Sequence, residues 1–132
     1  ADIKAALEQC AEFFTLQNGQ LVVTARFAKP KPQYYNYDMY QGLDYTFDIT
    51  KPVGQRVIQL AYHGRPVAAD QFYEVTTNSY RAAGGGNFAM FDPSKIVREN
   101  QKDMTELIAD YLQAHPDVQA TADHNFTVLP KM

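Results

Sequence analysis

Apolar positions recur at Ile3, Ala6, Leu7, Cys10, Ala11, Phe13 and Phe14, while Lys4, Glu8 and Glu12 fall on the other side. That spacing predicts a helix over residues 2–14. Asn18-Gly19 is a turn signal, after which Leu21 to Phe27 reads as a strand. Lys29-Pro30-Lys31-Pro32 interrupts the pattern, because proline supplies no backbone donor, and predicts a loop. In Leu43-Asp44-Tyr45-Thr46-Phe47-Asp48-Ile49 apolar and polar residues alternate, which predicts a half-buried strand with Leu43, Tyr45, Phe47 and Ile49 inward. A turn over 50–55 leads to a second strand from Arg56 to Tyr62, returning through His63-Gly64-Arg65-Pro66. Phe72 to Thr77 predicts a further strand. Asp92-Pro93-Ser94 reads as a helix start, with Asp92 as cap and Pro93 in the first turn. That helix is expected to reach about His115, before Pro116, and to bury Ile96, Val97, Met104, Leu107, Ile108, Tyr111 and Leu112. Asn125 to Leu129 closes the chain as a short strand. Strands in a block followed by a long helix predict an α+β fold, sheet on helix, and 132 residues predict one domain.

Composition narrows the function classes. A hydrophobic content of 45% is enough for a core, and the formal charge of −3 speaks against a nucleic-acid backbone binder, which needs a basic face. The single cysteine, Cys10, allows no intrachain disulfide; on the apolar side of the first helix it reads as a buried structural thiol. No signal peptide, membrane-spanning run or lipidation motif is present, which by itself says little; no membrane partner is expected. The chain opens abruptly in a helix and reads as an excised piece of a longer protein.

Candidate chemistry is sparse. His63 falls in a hairpin turn and His115 at a helix C-terminus, where a cation suits the macrodipole; only His124, within Asp123-His124-Asn125, has a mildly functional look. A di-metal phosphoesterase needs several His, Asp and Asn ligands converging on two ions. Three scattered histidines without Asp-x-His or His-x-His spacing do not supply them. Asp44 and Asp48 lie on the outer face of one strand and are expected to be solvated. The chain is therefore expected to hold no metal and not to hydrolyse phosphate esters alone.

One stretch stands apart: Thr76-Thr77-Asn78-Ser79-Tyr80-Arg81-Ala82-Ala83-Gly84-Gly85-Gly86-Asn87-Phe88. Consecutive glycines cost chain entropy and serve where the backbone needs positive φ or close approach. Tyr80 beside them is either a core tyrosine next to a plain flexible turn or a π-face for a nucleobase.

Asn78-Ser79-Tyr80-Arg81-Ala82-Ala83-Gly84-Gly85-Gly86 resembles the C-terminal signature of the bacterial 2′,3′-cyclic-nucleotide 2′-phosphodiesterase/3′-nucleotidase family, a branch of the 5′-nucleotidase group. The resemblance extends, in order, through Ala5 to Phe14, Tyr35 to Tyr45, Arg56 to Leu60 with Gly64 to Val67, and Asp123 to Phe126. It implies a mixed β-sheet packed against two main helices, truncated at its N-terminal side. It also implies a division of labour in which an upstream metallophosphoesterase domain holds two divalent metal ions, and the present region recognises the nucleoside. Two aromatic rings sandwich the base in that family; Tyr80 matches the second, and the segment carrying the first would lie upstream of Asp2. Tyr35 and Tyr37 fall in a segment that is mostly structural in the family. Asn78, Gly84, Gly85 and Gly86 are implied to shape the base and ribose pocket, while Arg81 either reaches the ligand or pairs with a carboxylate. In the 5′-nucleotidase branch the position of Gly86 is acidic and holds ribose hydroxyls. A 2′,3′-cyclic phosphate offers no such hydroxyls and would be repelled by a carboxylate, so Gly86 favours the cyclic-phosphodiesterase branch. The alternatives are the 5′-nucleotidase or nucleotide-sugar hydrolase branch, or a stand-alone ligand-binding module. Export to the periplasm, cell wall or medium is implied by the family. An unpaired sheet edge left by the missing strands is expected to favour a homodimer.

Overall fold

The computed structural model describes residues 1–130. Helix α1 (Asp2–Ala11) leads into a hairpin of β1 (Phe14–Gln17) and β2 (Gln20–Val23), followed by the short helix α2 (Ala25–Ala28). Strand β3 (Leu43–Asp48) pairs antiparallel with β4 (Val57–Tyr62), which carries the two-residue β5 (Arg65–Pro66) on its far side. After a long irregular passage containing the one-turn helix α3 (Ser79–Ala82) and helix α4 (Met104–Ala114), β6 (Phe126–Leu129) pairs parallel with β3. The main sheet therefore has the order β5-β4-β3-β6, and the fold is the expected α+β arrangement with a mixed sheet.

The alternation in β3 is realised in full. Leu43, Tyr45, Phe47 and Ile49 are all buried, and the core they form includes Ala6, Leu7, Cys10 and Ala11 of α1, with Val57 and Phe88. Asn18 and Gly19 both take positive φ, 53° and 78°, which is the mirror-image turn that suits a two-residue hairpin.

Five expectations are corrected. The strand expected over Leu21 to Phe27 stops at Val23, and Ala25–Ala28 turn into α2 instead. The first helix ends at Ala11, and Phe13 and Phe14 go instead into an aromatic cluster with Tyr37, at ring separations of 4.9 and 5.3 Å. Glu8 is buried: its Oε2 and Oε1 accept hydrogen bonds from the backbone amides of Arg56 (2.8 Å) and Val57 (2.9 Å). The Arg56 guanidinium in turn donates to the carbonyls of Ala11 and Phe14, both at 2.9 Å, closing the orphan end of α1. Phe72–Thr77 forms no strand, and Phe72 is 99% exposed. The run pairs with no strand of either sheet, so its β-forming residues gain no ladder.

The last correction concerns the long helix. Asp92 caps only a single 3-10 turn, accepting from the Ser94 amide, and the chain is extended again at Ile96. The helix proper begins where Asp103 and Glu106 form a reciprocal capping box, and its end before Pro116 is as expected. Ile96, Val97, Met104, Ile108, Tyr111 and Leu112 are exposed rather than buried, and Leu107 is half-buried.

Candidate functional site

The glycine stretch is built around α3. The Asn78 side chain accepts from the Arg81 amide at 2.8 Å, capping that one turn, and Gly84 (φ 81°) ends it in the left-handed conformation. Gly86 (φ 71°) is left-handed as well. Tyr80 therefore emerges on a fixed turn, and it is 53% exposed. Its ring lies against Gly85: a Cβ there would sit 2.6 Å from ring atoms Cε2 and Cζ and 2.5 Å from the Tyr80 carbonyl oxygen. No side chain fits. Gly86 is equally confined, because a Cβ there would meet the Asn36 amide and approach Arg81 Nη1 to 2.6 Å.

Beneath this loop lies Arg81, only 4% exposed. Its guanidinium forms a two-pronged pair with Asp38, Nε to Oδ2 at 2.7 Å and Nη2 to Oδ1 at 2.8 Å. Nη1 donates to the Gly85 carbonyl, and the guanidinium plane stacks 3.8 Å from the Phe88 ring centroid. Of the two roles open to Arg81, its hydrogen bonds correspond to carboxylate pairing; its donors are directed at protein acceptors. The glycine loop thus lies between the Tyr80 ring outside and the Arg81 guanidinium inside.

The structure brings Asn78, Tyr80, Arg81, Gly84, Gly85 and Gly86 together in one loop. Two neighbours of this loop were not anticipated from the sequence. Asp38 arrives from 43 residues upstream, and Asn36 packs against Gly86 with its Oδ1 buried and unpartnered. On the Gly86 side a cleft of ≈ 390 Å³ opens, with Gln9, Glu12, Arg26, Gln33 and Asn87 among its walls; Gln9 Nε2 donates to the Gly86 carbonyl at 3.0 Å. Tyr37 is built into the aromatic cluster under the first hairpin, whereas Tyr35 is exposed.

Elsewhere, Cys10 is buried as expected, and burial pushes its thiol up to about 12. Asn125 has a structural task, donating to the carbonyls of Tyr40 and Leu43 at 2.6 Å each. Among the described residues, no three His, Cys, Asp or Glu side chains converge as a metal site.

Residues 1–93 match the 5′-nucleotidase, C-terminal domain family. A trifunctional nucleotide phosphoesterase of Bacillus subtilis is 33% identical over 108 residues, covering 73% of this chain and 7% of that protein. A 2′,3′-cyclic-nucleotide 2′-phosphodiesterase/3′-nucleotidase of Haemophilus influenzae is 30% identical over 112 residues, covering 73% of this chain and 17% of its own length. A Staphylococcus aureus protein described as a 5′-nucleotidase, crystallised with alpha-ketoglutarate, superposes with a TM-score of 0.89 at 36% identity, over 97% of this chain and 25% of its own. A 5′-nucleotidase precursor of Thermus thermophilus shares the fold, with a TM-score of 0.64 at 24% identity over 99% of this chain and 24% of its own. The chain spans less than a fifth of the two curated relatives.

Proposed function

The chain belongs to the 5′-nucleotidase C-terminal domain family, and on that premise we propose that it reads the nucleoside for a metal-dependent phosphoesterase acting on 2′,3′-cyclic nucleotides and 3′-nucleotides. The observation that carries this reading is the half-exposed Tyr80 ring, held over a loop in which Gly85 and Gly86 have no room for a Cβ. Such a ring presents a rigid π-face at little entropic cost, and stacking one base on it contributes about 1–3 kcal/mol. Asn78 fixes the turn and Arg81 holds the loop from inside, so their roles at the site are indirect. Gly84 to Gly86 keep the backbone low enough for the sugar to lie beside the ring. In this proposal an upstream catalytic domain of the parent chain supplies two divalent metal ions and the hydrolysis, and the parent enzyme is exported.

The cyclic-nucleotide branch is supported by the activities named for the Haemophilus influenzae relative. Gly86 adds less support than its chemistry alone suggests, because the packing of Asn36 and Arg81 already demands glycine there.

A ¹H–¹⁵N NMR titration with adenosine, 3′-AMP and 2′,3′-cyclic AMP tests the proposal. A one-sided stack corresponds to binding in the millimolar range, with shifts expected at Tyr80 and the Gly84–Gly86 amides. Silence at those amides, both in this chain and in one extended upstream through the other aromatic segment, overturns it.

A further inference from the structure

Resting on that reading, we propose that Asp38 is a positioning residue of the nucleoside site: through Arg81 it sets the glycine loop and hence the seat of the Tyr80 ring. Every link in that chain is a close contact. Asp38 grips both Nε and Nη2 of Arg81, at 2.7 and 2.8 Å. The remaining prong, Nη1, donates to the Gly85 carbonyl, and Gly85 is the residue on which the Tyr80 ring lies. The guanidinium is confined from below by the Phe88 ring at 3.8 Å and from above by Gly86.

A planar fork bound at two points has one orientation, unlike a single-point ion pair. Fixing that orientation fixes where Nη1 points, and so the height of the Gly85 carbonyl. Without the carboxylate, a cation with a side-chain exposure of 5% loses its counter-charge and is driven toward water. It then releases Gly85, and the ring loses its floor. The sites Asp38 and Tyr80 are coupled without touching: Asp38 lies in the tyrosine-rich segment before β3, and Tyr80 lies on α3.

The test has one arm that does not depend on any ligand. The Gly85 α-hydrogen in the Cβ direction points into the Tyr80 ring, so its proton resonance carries a ring-current displacement that Tyr80→Leu should abolish. In Asp38→Asn, which keeps size and removes the charge, that displacement is expected to collapse toward the Tyr80→Leu value while the amide shifts of β3 and β4 stay in place. Asp38→Glu is expected to restore part of it. Adenosine affinity in Asp38→Asn should fall roughly tenfold, as for a lost stack. An unchanged Gly85 α-proton shift in folded Asp38→Asn overturns the proposal. If that variant does not fold, Arg81→Lys decides: it keeps the charge and removes the fork, so retention of the displacement overturns the proposal and its loss supports it. If neither this chain nor the one extended upstream binds nucleoside, the nucleoside reading falls, and the ring-current arm still decides whether Asp38 seats the ring.

Discussion

Gly19 and Gly86 share a backbone conformation, φ 78° and 71°, yet their surroundings differ completely. A Cβ at Gly19 meets nothing within 4 Å, whereas at Gly86 it runs into Asn36 and Arg81. Gly19→Ala therefore measures the conformational cost alone, about 1 kcal/mol. Gly86→Ala should cost a further ~1–3 kcal/mol for overpacking, read as a lower urea midpoint at unchanged slope. Equal losses in the two variants would mean that the loop has slack. Gly86→Asp inherits the same clash, so any change in substrate preference it causes has to be judged against Gly86→Ala. Cys10 offers a second test at this scale. Its thiol is buried and pushed up to about 12 by desolvation, so alkylation at pH 8 should be very slow in the native protein and fast in denaturant.

At the level of elements, α1 is joined to β4 by Glu8 together with the Arg56 guanidinium. Glu8 presents two acceptor oxygens to two backbone donors, the amides of Arg56 and Val57. Glu8→Gln replaces one acceptor with a donor facing an N–H, and should cost ~1–3 kcal/mol; a urea midpoint equal to wild type would refute that role. This joint is also where periodicity misled. A helical wheel assigns Glu8 to the solvent side, and only the arrival of β4 gives its carboxylate a reason to be inside. By contrast, Leu43–Ile49 was legible residue by residue, because a half-buried strand writes its two faces directly into the sequence. Asn18-Gly19 was legible for a similarly local reason. The start of α4 is written as Asp103-Met104-Thr105-Glu106, a capping box, but the earlier Asp92-Pro93-Ser94 gives the same kind of signal and stops after one 3-10 turn. Phe72–Thr77 shows the limit of propensity, since a strand also needs a neighbour. At the candidate site, the glycine loop and Tyr80 stood out as a motif, whereas Asp38 did not, because no local pattern joins residues 43 apart.

For the molecule as a whole, the buried thiol and phenols set an alkaline limit. Burial raises the pKa of Cys10 from 9.0 to about 12 and also raises those of Tyr37, Tyr40 and Tyr45. The folded state thus holds protons that the unfolded chain gives up. For Cys10 the associated stability is complete below pH 9.0 and is lost as the pH rises toward about 12. Unfolding free energy should fall with increasing pH across that window, and Cys10→Ala should flatten the slope while lowering the stability at neutral pH. A slope indistinguishable from wild type would show that the thiol is not part of the alkaline transition.

The two neighbours of β3 come from very different distances along the chain. β4 follows after a short turn, whereas β6 is its parallel partner from about eighty residues later. Closing so long a loop costs about 2 kcal/mol more in entropy than closing the hairpin, and such contacts form late. The β3–β4 ribbon should therefore assemble first with one flank bare, and β6 should arrive last as its seal. During that interval a row of unpaired amides and carbonyls on β3 is open to any other extended strand. The yield of refolding should accordingly fall as protein concentration rises, and excess of a synthetic peptide spanning 123–130 should lower the native yield by holding the flank that β6 itself must take.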